Sequence, residues 1–214
     1  MEQEPGSSGA EQGYECHAKG MEQRRSERNP LRPKTNVNLG PMRLVNCSLA
    51  EHGAAILRIM NDAIVSSTAL YDYVPRELAS MTGWFDSKVG GGFPVWGALD
   101  ASGQLLGFAT YGTFRAWPAY KYSVEHSVYV QQGSRGQGVG KALMQRLIAS
   151  ATEQQLHVLV GGIDASNAHS VAFHERLGFS HAGTIKQAGF KFGRWLDLAF
   201  YQLVLPTPHH PFDG

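Results

Sequence analysis

Residues 128–141, Val-Tyr-Val-Gln-Gln-Gly-Ser-Arg-Gly-Gln-Gly-Val-Gly-Lys, constrain this chain more than any other segment. They read as a strand end, a glycine-rich turn and the start of a helix that runs to about Gln154. Glycines at 136, 138 and 140 allow consecutive main-chain N–H groups to point into one concavity. The new helix adds the positive end of its dipole at the same place. Such an arrangement predicts a pyrophosphate cradle, with Arg135 and Lys141 supplying charge at its rim.

The spacing narrows the choice of ligand. A P-loop needs glycine five positions before Gly140 and Ser or Thr after Lys141, where this chain has Arg135 and Ala142. A dinucleotide fingerprint starting at Gly136 needs a small residue at 141, where Lys141 stands. The pattern that fits is Arg/Gln-x-x-Gly-x-Gly/Ala, here Arg135-Gly136-Gln137-Gly138-Val139-Gly140. Bulk charge cannot hold an anion here: 19 Lys+Arg against 18 Asp+Glu leave a net charge of +1. The same balance gives no pull toward nucleic acid or membrane.

Two cysteines, Cys16 and Cys47, form no CxxC and no metal-type spacing, so neither a disulfide framework nor a metal site is expected. No apolar stretch approaches the roughly 20 residues of a membrane span. With no apolar leader either, a cytoplasmic location is expected.

Residues 1–40 carry many charges, few apolar side chains and no period, which predicts a disordered tail. Residues 41–205 read as one mixed α/β domain, and 206–214, with Pro206, Pro208 and Pro211, as a loose tail. Within the domain, Met42–Asn46 is a strand, and Ser48-Leu-Ala-Glu51 has capping-box spacing. It opens a helix with Ile56, Met60, Ala63 and Ile64 on one face. A second helix is expected from Pro75 to about Lys88. Phe93–Leu99 and Leu105–Thr113 follow as a hairpin, then a strand over Tyr122–Val130. After the glycine-rich helix come a strand over His157–Ile163, a helix over Asn167–Leu177 stopped by Gly178, and two strands flanking Gly193.

Four segments together resemble the GNAT superfamily of acetyltransferases, specifically its phosphinothricin and methionine sulfoximine N-acetyltransferase branch. They are the glycine-rich segment, Arg115–Val130 (Arg-Ala-Trp-Pro-Ala-Tyr-Lys-Tyr-Ser-Val-Glu-His-Ser-Val-Tyr-Val), Ser170–Phe179 (Ser-Val-Ala-Phe-His-Glu-Arg-Leu-Gly-Phe) and Gly189–Asp197 (Gly-Phe-Lys-Phe-Gly-Arg-Trp-Leu-Asp). The resemblance spans roughly Met42–Leu205. It implies a mixed, mostly antiparallel sheet flanked by helices, splayed beside Val128–Val130 to admit acetyl-CoA. It also implies that Val128, Tyr129 and Val130 pair with the pantetheine arm, that Arg135, Gly136, Gln137, Gly138, Val139, Gly140 and Lys141 bind the pyrophosphate, and that Asn167 contacts the cofactor. The partners it implies are a small-molecule amine and a second copy in a homodimer; no metal is implied.

Glu125 is the candidate base. It sits in mid-strand, sharing a face with Ser123, Ser127 and Tyr129, and a carboxylate there is costly to desolvate without a partner or a task. An alkylammonium cannot attack a thioester until it loses a proton, and α-amines titrate near roughly 8. The bland alternative is a solvated residue or an ion-pair partner of Arg115. His174, at helical spacing from Val171 and Leu177, faces inward and stands where many GNAT enzymes place a proton-donating tyrosine; it is either a proton donor or a satisfied core histidine. Arg115, Ala116 and Trp117, with Glu125, His126 and Ser127, occupy the branch's substrate-holding segments, and the planar Arg115 fork suits a carboxylate or phosphinate. Tyr71 and Lys191–Trp195 are expected to shape the same pocket. The substrate so implied is a small amino acid or analogue of the phosphinothricin, methionine sulfoximine or methionine sulfone type. An acyltransferase of protein N-termini or lysines would need an open groove in place of the Arg115–Tyr122 loop. A non-catalytic acyl-CoA sensor would keep the cradle but have no use for Glu125.

Overall fold

The computed structural model describes residues 41–213, so the expected tail over 1–40 lies outside the described residues. Strand β1 (Arg43–Asn46) leads into helix α1 (Leu49–Ser66). The Ser48 hydroxyl caps α1, accepting from Glu51 N–H at 3.3 Å. The reciprocal half of a capping box is replaced: Ser48 N–H donates to His52 Nδ1 at 3.2 Å. Ile56, Met60, Ala63 and Ile64 are buried on one face of α1, as their spacing predicts.

Helix α2 (Ser80–Gly90) begins five residues after Pro75, not at it. The reason is local. Arg76 N–H donates to Asn61 Oδ1 at 2.8 Å, and its carbonyl accepts from Asn61 Nδ2 at 2.9 Å. A side chain of α1 thus takes the Arg76 carbonyl, which a helix starting at Pro75 would use as an acceptor.

Strands β2 (Val95–Leu99) and β3 (Leu105–Thr113) form the expected hairpin, followed by β4 (Ser123–Val130), α3 (Val139–Glu153), β5 (Val158–Asp164), α4 (Ala168–Arg176), β6 (Ser180–Lys191) and β7 (Arg194–Val204). Gly178, at φ +90°, stops α4, and Phe192-Gly193, both at positive φ, make the β6–β7 turn. The seven-stranded sheet has the order β1-β2-β3-β4-β5-β7-β6, antiparallel except for β4 against β5.

That one parallel contact positions everything that follows. β4 and β5 pair only over Ser123–Glu125 and Val158–Val160, then part. The rest of β4 therefore has a partner on its β3 side alone. One face of the sheet carries α1 and α2 over a core that includes Phe85, Val95 and Phe108. The other carries α3, whose Leu143, Met144 and Leu147 are fully buried against β2–β4. Each such side chain stabilises the fold by about 1.5–3 kcal/mol.

The segment after β7, expected to be loose, is tied down. Thr207 is buried, its hydroxyl donates to the Leu156 carbonyl, and its own carbonyl lies 2.6 Å from His157 Nδ1. Phe212 packs under Lys121, with Nζ 3.9 Å from its ring centroid, and edge-on to Tyr122. Proline content alone misleads here, because polar groups of the β5 region supply the anchors.

Candidate active site

The turn before α3 is built by glycines for two different reasons. Gly136 and Gly138 take positive φ, +77° and +85°, and Gly138 is the N-cap of α3. A Cβ at either would meet open space, so each faces outward onto a free volume. Gly140 is an ordinary helical residue whose Cβ would lie 3.5 Å from the Phe173 ring and 3.6 Å from Val130, ordinary contact distances that suit the Gly/Ala alternative of the pattern. The first N–H of α3 with a helical acceptor is that of Ala142, donating to Gly138 O at 3.0 Å. Those of Val139, Gly140 and Lys141 have none, which is the anion-binding end of a helix.

This turn forms one end of a cavity of about 850 Å³ along the open edge of β4. Val128, Tyr129, Val130, Arg135, Gly136, Gly138, Gly140, Lys141 and Asn167 all line it. Two expected cofactor residues do not. Val139 is buried in the core at 1% exposure, and Gln137 folds back to donate to Gly133 O at 2.9 Å. Arg135 and Lys141 are exposed at the rim, with Arg135 Nε donating to Val130 O at 3.2 Å. Asn167 caps α4, its Oδ1 accepting from Ser170 N–H at 3.1 Å. The donor set fits a pyrophosphate: free helical N–H groups, two cations and no carboxylate at the turn.

A second cavity, about 310 Å³, opens where β4 and β5 part, and it shares Ala69, Val128, Tyr129, Asn167 and Ser170 with the first. Glu125, His126 and Ser127 line it, as expected. Burial raises the Glu125 carboxyl above its ordinary range, and Arg115 opposes that rise. Among the described residues no cation lies within ion-pair distance of Glu125; Arg115 instead donates to Phe114 O and lies over the Phe114 ring. Arg115, Ala116 and Trp117 are exposed and line neither cavity.

On the opposite face of β4, His126 stacks on His174 with ring centroids 5.1 Å apart. His174 Nδ1 lies 2.7 Å from Ser170 O, a group that can only accept, so Nδ1 carries the hydrogen and Nε2 presents a lone pair. Burial lowers both imidazoles, His126 to about 3 with a smaller contribution from His174. Both rings are neutral at pH 7, and His174 Nε2 has no proton to give in that state.

The sequence reading missed Asp164, Thr68 and the glycine pair of β5. Burial alone would raise Asp164, but hydrogen bonds from Ser166, Thr68 and Arg194 hold it below the ordinary carboxylate range, so it is anionic. Gly161 faces the histidines, where a Cβ would come within 2.7 Å of His126 Nε2; Gly162 faces Glu125, where one would lie 3.2 Å from Oε1. Two glycines in a strand are a readable sign of close approach. Cys47 packs in the α1 core, its thiol pushed up to about 12 by burial, away from both cavities. Among the described residues there is no group of three metal-ligating side chains and no helix long and apolar enough to cross a membrane.

Comparison with known proteins places this geometry. The sequence pattern of the acetyltransferase (GNAT) family matches residues 58–179. The L-methionine sulfoximine/L-methionine sulfone acetyltransferase of Pseudomonas aeruginosa is 45% identical over 172 residues, 78% of this chain and all of the relative. The L-amino acid N-acyltransferase of Escherichia coli is 37% identical over 74% of this chain and 91% of its own. Among solved structures, a GNAT superfamily phosphinothricin acetyltransferase from Sinorhizobium meliloti in complex with AcCoA matches with TM-score 0.76 and 33% identity, over 81% of this chain and 93% of that one.

Proposed function

The chain belongs to the GNAT family of acetyltransferases, and on that premise we propose that it moves the acetyl group of acetyl-CoA to the amine of a small amino acid or analogue of the methionine sulfoximine, methionine sulfone or phosphinothricin type. The observation that carries the reading is the junction of the two cavities. A half-buried carboxylate of raised pKa stands in the smaller one, and a phosphate-binding turn ends the larger.

The chemistry follows from that junction. Acetyl-CoA lies along the open edge of β4, its pyrophosphate at Gly136–Lys141. The amine enters the smaller cavity as an ammonium. Glu125 takes one proton, directly or through a water, and its raised pKa narrows the gap to the ammonium it must deprotonate. The freed lone pair forms a C–N bond at the acetyl carbonyl. Unpaired main-chain N–H groups of β4 stabilise the charge that develops on oxygen. Collapse breaks the C–S bond and releases the coenzyme A thiolate; the second amine proton is lost to solvent. His174, lacking a proton at Nε2, shapes the cavity floor and is not the thiolate's acid in this scheme.

Substrate class rests on the curated relatives, which are named for amino acids and amino-acid analogues, and on the small volume of the second cavity, about 310 Å³. The test is a panel of amines with acetyl-CoA, read by free thiol release. Methionine sulfoximine, methionine sulfone or phosphinothricin should be acetylated in preference to spermidine, kanamycin or an N-terminal peptide. Preference for a polyamine or a peptide would overturn the substrate assignment.

A further inference from the structure

The wall between the two cavities is an irregular segment to which side chains from distant parts of the chain are hydrogen-bonded. Residues 67–71 follow α1 without regular structure, with Thr68–Tyr71 lining the smaller cavity and Ser67 and Ala69 the larger. The last carbonyls of a helix have no intrahelical donor, and α1 carries no basic residue in its last turn. The missing cation comes from the far end of the chain. Lys191 Nζ donates to Ile64 O at 2.7 Å, Ser67 O at 3.0 Å and Leu70 O at 2.5 Å. Three N–H groups meet three carbonyls at the negative end of a helix, which is what lets a lysine stay 4% exposed.

Three further ties join the same hairpin to this segment and to Tyr73 just after it. Arg194 Nη2 holds Asp164 Oδ2 at 2.8 Å, and that oxygen accepts from Thr68 Oγ1 at 2.8 Å. Tyr73 Oη donates to Phe190 O at 2.7 Å. The Tyr71 ring lies so close over Gly189 that a Cβ there would come within 2.9 Å of it. Helix α1 packs on β3 and β4, whereas the hairpin extends from the β5–β7 half of the sheet. The ties therefore span the gap in which the amine and the acetyl group must meet.

We infer that Lys191 is a positioning residue for the amine subsite, acting through the main chain of Ser67–Leu70 and supported by Arg194, without touching the substrate. The inference rests on the acetyltransferase reading above. No residue of the hairpin lines the larger cavity that ends at the α3 turn, whereas Leu198 lines the smaller one, so loss of the latch should fall on the amine. An Arg in place of Lys191 keeps the charge, but its N–H groups lie in one plane on three nitrogens and do not match three carbonyls that converge on one nitrogen.

The experiment is steady-state kinetics with methionine sulfoximine, together with calorimetric titration of acetyl-CoA, on wild type, Lys191→Met, Lys191→Arg and Arg194→Gln. Wild-type turnover comes first, and its absence with every amine of the panel would sink the acetyltransferase substrate reading, not this one alone. Given turnover, Lys191→Met should raise the amine KM by about 5- to 100-fold, the range for buried acceptors left without donors. Its acetyl-CoA Kd should stay within about threefold, Lys191→Arg should fall between, and Arg194→Gln should shift the amine KM the same way by less. An unchanged amine KM, an equal loss of acetyl-CoA affinity, or full rescue by Lys191→Arg would each overturn the positioning role. Should Lys191→Met fail to fold, Arg194→Gln and Thr68→Val decide: an unaltered amine KM in both refutes it.

Discussion

The buried histidine of β4 gives this fold a specific acid sensitivity. His126 is 6% exposed and neither ring nitrogen has a hydrogen-bond partner among the described residues. Burial, aided by His174, pushes its pKa down from 6.5 to about 3. The folded protein thus leaves His126 neutral across most of the acid range, while the unfolded chain takes up a proton near pH 6.5. Below that pH the unfolded state binds more protons, so stability falls as pH falls from 6.5 toward 3. At pH 5 the contribution is about 2 kcal/mol, from about 1.5 pH units at 1.36 kcal/mol each. For a domain of this size that corresponds to a Tm lowered by about 4–8 °C. Asn at position 126 cannot titrate. His126→Asn should lose a constant amount to poorer packing, yet fall less steeply with acid. Thermal unfolding followed by circular dichroism from about pH 7 to about pH 5 should show the gap between wild type and variant narrowing by that amount. Groups not coupled to His126 titrate in both proteins and cancel. Parallel curves would refute the argument, because they would mean that the folded state already accommodates a charged ring.

Gly138→Asp places a side chain at φ +85° and a negative charge at the N-terminus of α3, so acetyl-CoA binding by calorimetry should be lost in a variant that keeps its circular dichroism; unchanged affinity would move the pyrophosphate elsewhere. Ending the chain at Leu205 removes the Thr207 and Phe212 anchors and should lower stability by about 1–3 kcal/mol, the cost of leaving buried polar groups unpaired. A melting temperature equal to that of the full chain would restore the loose-tail expectation.

Much of the fold was legible because local chemistry and burial agree. The Ser48 cap, the apolar face of α1, the Gly178 stop and the Phe192-Gly193 turn are short-range features, and the structure keeps them. The end of the β4–β5 ladder, and with it the splay beside Val128–Val130, came from the four-segment resemblance and matches the observed register. What could not be read depends on long-range partners. Asn61 delays α2 from fifteen residues away, and Leu156 and His157 anchor Thr207 from about fifty. The site divides the same way. Motif spacing located the turn residues that line the larger cavity, but not that Val139 and Gln137 turn inward. The family resemblance placed Arg115, Ala116 and Trp117 at the substrate pocket, but they line neither cavity of the described residues, because a loop's aim is set by its neighbours and not by its own sequence.

The central claim is that Glu125 takes the proton from the amine, and replacing it with Gln tests this most directly. Glu125→Gln keeps the size of the side chain but cannot accept that proton. With methionine sulfoximine at neutral pH, kcat should fall by about 10²–10⁴ while acetyl-CoA affinity stays nearly intact. The acidic limb of the wild-type kcat/KM profile, which requires the ionised carboxylate, should lie above the ordinary value of 4.5 because burial raises Glu125, and it should vanish in the variant. A fall of less than about tenfold with chemistry rate-limiting, or an acidic limb that survives the substitution, would contradict the account and leave Glu125 a structural residue.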